Sequence, residues 1–353
     1  NPEPSWRRAV EAFQRAIVLS PNFPWAHNDL ATCWWNHGRY LDGRGQDPRP
    51  IFQQAMDNFN RVITIDPTYQ FAYVNLAGTL NDFANYSLER GIDFSPLVWK
   101  TDQHVKQCGA PCEALPSFHI NMASVHISQG QLLLRQGADL RATLSQARNH
   151  IKTLLKLTKS SFLPCILSAY TDGLEAEYIL ASGRDPTAMA ETALATASGC
   201  QALNPQAEDP WVVQAWVHQV QFTWAKEHGG QSLRFADLAL RAARRAVELN
   251  PDSSDSTIEE ARACIHLAAM SEPKTQSALL LEGLGAVSKL LKVRASSGTL
   301  LALRAIILKA QSRLTLDPTA QASLMQESQL SWAQALTINP LLKRQYAAEL
   351  QDR

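Results

Sequence analysis

Between Trp25 and Arg44 the chain carries Ala26, Leu30, Ala31, Trp34 and Leu41 at helical spacings, with no internal proline. That pattern predicts an amphipathic helix. Gly45 follows, suited to the left-handed position just past a helix C-terminus. Asp47 then stands where an N-cap belongs, with Pro48 at the first helical position. A second apolar stripe, Ala55, Phe59 and Val62, runs to a stop at Asp66 and Pro67. One unit therefore reads as helix, glycine stop, aspartate start, helix, proline stop.

The unit repeats. Ala72, Leu76, Ala77 and Leu80 lead to Gly91 and Asp93; Met122 and Ala123 lead to Gly137 and Asp139. Further copies reach Gly183 with Asp185, and Gly229 with Gln231, so five glycines share a spacing of 46 residues. A fixed period in the range of roughly 20–50 residues marks an architecture of stacked supersecondary units. The regular repeats cover residues 5–251, and the whole chain, 1–353, is expected to be one solenoid. Residues 252–353 form irregular C-terminal repeats and a cap. Asp317–Pro318 and Asn339–Pro340 still punctuate there, without showing which helix of a pair each one closes.

The second helices carry a small residue, an apolar one four later, a small one three later, and proline five later. Ala9, Phe13, Ala16, Pro21 is the first copy, and Ala55, Phe59, Val62, Pro67 the second. Ala193, Ala197, Cys200, Pro205 and Ala239, Ala243, Ala246, Pro251 follow it too. Small residues let neighbouring helices approach, and the larger one fills the gap between them. Together with Leu30, Ala31 and Trp34, and with Leu76, Ala77 and Leu80, this resembles the tetratricopeptide repeat over nearly the whole chain. The resemblance implies an all-α, right-handed superhelical solenoid of about seven antiparallel helix pairs. The family's usual repeat is about 34 residues, so these helices should be longer by about one to two turns. Segments such as Gly45 to Pro50 and Gly183 to Pro186 are similar to the long repeats C-terminal to bacterial serine/threonine protein kinases. That implies a regulatory or docking region of a larger signalling protein. The phosphate loop, His-Arg-Asp and Asp-Phe-Gly motifs of a kinase are absent from the sequence.

Composition narrows the partners. Thirty-three basic residues balance thirty-three acidic ones, so no net field draws in nucleic acid or an anionic membrane. No stretch approaches the ~18 uncharged apolar residues of a membrane span. The chain opens at Asn1 without a signal-peptide pattern and reads as an excised or processed piece. Six cysteines in 353 residues are not a disulfide framework, and Cys33, Cys200 and Cys264 read as small packing residues. The compartment stays open, the cytoplasm being favoured over an exported site; the oligomeric state also stays open.

Chemistry is sparse. His104, Cys108, Cys112 and His119 form the one ligand-like cluster, but Gly109, Ala110 and Pro111 interrupt the helix that would align them. The spacing lacks the tight knuckle of a zinc site. A helix-end Cys, a loop Cys and two surface histidines are the expectation, with a metal or a Cys108–Cys112 disulfide as the alternatives. His119 and His126 share a helix face rather than a reaction. The acidic pairs Glu175 with Glu177, and Glu259 with Glu260, diverge on their helices, so neither catalysis nor a cofactor is expected.

Nine tryptophans are more informative. Trp34 aligns with a packing position and is expected in the core. Trp25 and Trp35 point elsewhere, and Phe71 repeats the aromatic one period after Trp25. In the tetratricopeptide family the first helix of each pair lines the concave face. Asp29, Asn75 and Asn121 share one register there, as a recognition ladder or as interhelical hydrogen bonds. Asn28, Val74 and Ile120 share the adjacent one. The family's carboxylate clamp is disfavoured because its basic members are missing. The expected ligand-binding set is Trp25, Asn28, Asp29, Trp35, Phe71, Asn75 and Asn121, presented to a protein or peptide by a non-catalytic scaffold. The alternative is a sensor that binds a small ligand and controls an attached kinase.

Overall fold

A computed structural model describes residues 3–158 and 161–350. Every regular element among them is a helix: α1 (Glu3–Leu19), α2 (Pro24–Gly43), α3 (Arg49–Ile65), α4 (Gln70–Arg90), α5 (Ser95–Cys108), α6 (Ala110–Glu113), α7 (Pro116–Gln136), α8 (Arg141–Leu157) and α9 (Phe162–Ala181). They continue with α10 (Thr187–Leu203), α11 (Asp209–His228), α12 (Ser232–Leu249), α13 (Ser254–Ala268), α14 (Pro273–Leu291), α15 (Gly298–Leu314), α16 (Pro318–Ile338) and α17 (Leu342–Leu350). The first helices of successive pairs begin at Pro24, Gln70, Pro116 and Phe162, holding the period of the sequence. Helix α2 packs on its partner α3, and α9 packs on its partner α10 and on α11 of the next pair, as in a tetratricopeptide-type repeat.

The punctuation works as its chemistry dictates. Gly45, Gly91, Gly137, Gly183 and Gly229 have φ of 70°, 64°, 72°, 70° and 79°, a region where any Cβ is strained. The carboxylates of Asp47, Asp93, Asp139 and Asp185 accept from the backbone N–H groups of Arg49, Ser95, Arg141 and Thr187, tying up donors that the helix leaves unpaired. Asp317 does the same for Thr319 and opens α16, while Asn339 and Pro340 follow the end of that helix. The two late punctuation marks thus bracket the second helix of one pair.

Asp47→Ala should cost about 1 kcal/mol in thermal or chemical unfolding, the usual worth of a cap. Hydrogen bonds from Arg49 hold the Asp47 carboxyl down at about 2. With its folded pKa depressed, this contribution is present above the ordinary carboxylate range and fades as pH falls through about 2.

By contacts the chain divides into two compact units. The first comprises Asn1–Leu88, Ile92–Gln129 and Ser145–Lys159, the second Glu89–Gly91, Gly130–Leu144 and Ser160–Arg353. In the first, Phe52, Phe59, Tyr73, Leu80, Phe94, Phe118 and Met122 are buried core residues. In the second, α9, α10 and α11 meet through Ala169, Ala176, Ala193, Ala197, Val213 and Val217. Beyond them Leu280, Val287, Leu300 and Ile307 continue the core, closed by Leu342 and Tyr346 of α17. The small–large–small pattern of the second helices is fully buried in Ala55, Phe59 and Val62, and again in Ala239, Ala243 and Ala246.

Two features differ from the expectation. Cys200 is not a plain packing residue: it is bonded to Cys165, joining α10 to α9. A buried cysteine is small enough to satisfy the packing pattern, so the pattern hid the bond. Trp34 is half-buried instead of core, its ring stacked 6.2 Å from His37, which in turn lies tilted 4.9 Å from Trp6 of α1.

Candidate functional site

The first helices of the first unit carry the expected residues. Trp25 follows Pro24 in the first turn of α2, and Phe71 sits in the first turn of α4. Both are exposed, at 57% and 67%. The ring of Tyr69 stands between them. Its centroid is 5.5 Å from Trp25 at an interplanar angle of 87°, and 6.2 Å from Phe71 at 67°. These edge-to-face contacts are the favoured aromatic geometry, and they order two large apolar side chains that water still reaches. Burial, Asp29 and Asp66 together raise the Tyr69 hydroxyl above its ordinary value and keep it neutral. Tyr69 was legible in principle, because Phe23 precedes it by one period and is itself exposed. The aromatic register is doubled, at 23 and 25 and again at 69 and 71.

Beneath this string lies an amide ladder. Asn28 Nδ2 donates to Asp29 Oδ1 at 3.2 Å, and Asn75 Nδ2 donates to Asn28 Oδ1 at 3.2 Å. Asn121 Nδ2 reaches the Val74 carbonyl at 3.4 Å. Asn75 and Asn121 therefore each contact the residue one place before their own register position on the preceding first helix. Asn28, Asp29 and Asn75 come together, while Asn121 bonds the backbone of α4. Trp35 is half-buried and lies across Gly78 of α4, where an added Cβ would fall 2.8 Å from its ring. Its Nε1–H donates to Asp82 Oδ2 at 2.7 Å. Burial raises the Asp82 carboxyl, the Trp35 hydrogen bond and Arg39 at 3.5 Å opposing the rise. The second unit uses the same device in reverse order: Trp216 of α11 covers Gly173 of α9 and donates to Glu177 at 2.8 Å.

The ligand-like cluster is not one. Cys108 and Cys112 form a disulfide across the left-handed turn at Gly109, with Cα atoms 5.8 Å apart. His119, expected at the surface, is buried at 5% exposure, with Nε2 3.2 Å from the Glu113 carbonyl and Nδ1 3.0 Å from His150. His104 is half-buried on α5. Helix α7 turns its histidines inward because its neighbours α5 and α8 cover that face.

In the second unit two of the first helices, α13 and α15, are covered by the chain itself. Helix α17 lies against α13 and α15. Leu342 is fully buried near Gly298, and Tyr346 is 6% exposed. The Arg262 guanidinium donates twice to the Tyr346 hydroxyl, at 3.2 and 2.7 Å, and once to Glu259 at 2.9 Å. Gln219 Nε2 completes the Glu259 carboxylate at 2.7 Å. Burial nonetheless pushes Glu259 up to about 7. Lys309 Nζ donates to the Leu350 carbonyl at 2.8 Å and closes the end of the helix. No helix among the described residues is long and apolar enough to cross a membrane.

No protein-family model matches the chain, and no curated protein matches it. Similar solved structures include TTC0263, a thermophilic TPR protein of Thermus thermophilus. It has 16% identity and a TM-score of 0.41, over 66% of this chain and 98% of that one. Yeast Tom70 matches at 14% identity and a TM-score of 0.49, over 99% of this chain and 63% of its own. Nro1, described as a nuclear import adaptor, matches at 9% identity and a TM-score of 0.39, over 95% and 94%.

Proposed function

We propose that the chain is a non-catalytic scaffold whose first unit docks an amphipathic helix of a partner protein on the face carrying Trp25, Tyr69 and Phe71. The observation that carries this reading is the ordered but exposed aromatic string. Large rigid rings with preset geometry supply binding area at low entropic cost. The occupant is inferred from the second unit, where the equivalent first helices take α17 through Leu342 and Tyr346, four residues apart on one helix face. A partner helix would present apolar residues at the same spacing. A basic residue beside them would meet Asp29 and Asp66.

The similarity of its Gly-x-Asp-Pro segments to kinase-associated repeats would make this the docking region of a larger signalling protein. The two disulfides count toward an oxidising compartment rather than the cytoplasm.

Trp25→Ala combined with Phe71→Ala should weaken partner binding by more than about tenfold, the scale of losing central aromatic anchors. Trp99→Ala, removing an equally exposed aromatic on α5, should leave binding unchanged. Titration of the purified partner against each folded variant reads the difference. Undiminished affinity in the double variant would place the docking face elsewhere.

A further inference from the structure

Three helices of the first unit converge on a group of donors that the scaffold reading leaves unused. Asp102 of α5, His126 of α7 and His150 of α8 each bring one ligand atom within 4.8 Å of the others. His126 is 2% exposed, and neither ring nitrogen has a hydrogen-bond partner. Burying such a group unpaired forfeits its hydrogen bonds to water, a loss an apolar residue would not incur. Its Nε2 nevertheless stands 3.3 Å from Asp102 Oδ1, without the alignment of a hydrogen bond. Two donors on one tetrahedral zinc, each bonded at about 2.0–2.2 Å, stand roughly this far apart.

The neighbouring contacts set the protons of the third donor. The Glu113 carbonyl only accepts, so His119 Nε2 carries a proton. With His119 neutral, its bare Nδ1 accepts a hydrogen bond from the Nδ1–H of His150. His150 is left with a bare Nε2, the form a metal binds. A ligating imidazole that donates its other N–H to a fixed acceptor is the usual outer arrangement of a metal site.

We propose that Asp102, His126 and His150 form a divalent metal site of the zinc class, clipping α5 onto α7 and α8, with His119 as the positioning residue of His150. Two imidazoles and one carboxylate suit zinc better than the oxygen-only sets of calcium or magnesium. Three protein donors leave one position for water. The donor atoms lie within 4.8 Å of one another, so the widest separation closes by no more than roughly 1–2 Å when they share one tetrahedral ion.

The test uses the whole chain, stripped by chelation and dialysed. Zinc alone should bind at one equivalent per chain and raise the unfolding temperature by mass action. Cobalt should give the visible absorption of a four-coordinate site. Asp102→Asn, which keeps shape and tolerates exposure, should weaken zinc binding by at least about tenfold, and His150→Ala should abolish the cobalt band. His104→Ala, on the same helix as Asp102, should change neither. Circular dichroism identifies any variant that fails to fold, and Asp102→Asn then decides alone. A chain that takes up no zinc or cobalt and shows no thermal shift overturns the proposal. Stoichiometric binding unchanged by Asp102→Asn and His150→Ala overturns it as well.

Discussion

Arg262→Ala is expected to destabilise the second unit by about 3 kcal/mol and to free α17 from it. The Arg262 side chain is only 19% exposed and that of Glu259 8%. Removing one partner of a buried ion pair typically costs ~3–5 kcal/mol, because the other charge is left uncompensated. The lower end applies here, since Glu259 titrates near 7 even with Arg262 present and can take up a proton. The substitution also removes both donors to the Tyr346 hydroxyl and a cation stacked 5.8 Å from its ring. Hydrogen exchange should show lost protection along α17 before α13 or α15 changes. Arg262→Lys should recover part of the stability and less of the α17 protection, since an ammonium cannot reproduce the fork.

The pH dependence has a defined sign. A carboxyl whose folded pKa is raised binds its proton more tightly folded than unfolded, so its contribution falls as pH rises from the ordinary carboxylate value through about 7. Deleting Arg262 raises the folded value further. The stability difference between wild type and Arg262→Ala should therefore be larger at about pH 8 than at about pH 5. An equal difference at both would mean that Glu259 is not the group left unpaired.

Loss of the Cys165–Cys200 disulfide is the second large effect. The bond spans 35 residues, and closing a loop of that length lowers the entropy of the unfolded chain enough to contribute about 3–4 kcal/mol. Cys200 is fully buried, so Cys165→Ala with Cys200→Ala also removes packed sulfur, and reduced wild type, which keeps both sulfurs, isolates the cross-link. The double variant should unfold at markedly lower denaturant, and reductant should bring wild type down to nearly the same midpoint. The Cys108–Cys112 bond spans four residues and should contribute about half as much. A double variant as stable as the oxidised wild type would show that the alanine-rich contact of α9 and α10 suffices unaided.

The sequence was most readable where a residue's own backbone chemistry decides the outcome. Gly45, Gly91, Gly137, Gly183 and Gly229 announce left-handed turns because other residues meet a steric penalty there. Asp47, Asp93, Asp139 and Asp185 announce caps because a short carboxylate reaches the free N–H groups. Ala55, Phe59 and Val62 announce a buried seam by size alternation. What escaped depends on partners that the period does not specify. Cys200 fits the seam whether or not Cys165 stands opposite. His150 sits in a strongly amphipathic helix and reads as one more polar position; only the convergence of α5 and α7 makes it a donor. Of the adjacent pair Trp34 and Trp35, the repeat pattern assigned Trp34 to the core, whereas it is Trp35 that covers Gly78 and bonds Asp82. For the candidate site, Trp25, Phe71 and the amide ladder followed from the register, whereas Tyr69, which orders the two rings, required their geometry.

On the proposed reading, the first helices of the first unit hold a partner's helix. Site-specific photo-crosslinking in cells making the whole chain tests it most directly, with the reactive side chain at position 71 or at position 99. Both positions are exposed to the same extent, at 67%, but only the first stands beside Trp25 and Tyr69. Adducts are expected at 71 that map to a helix with apolar residues four apart and that disappear on Trp25→Ala. Equal adducts at 71 and 99, or adducts at 71 that survive Trp25→Ala in the folded chain, would contradict it.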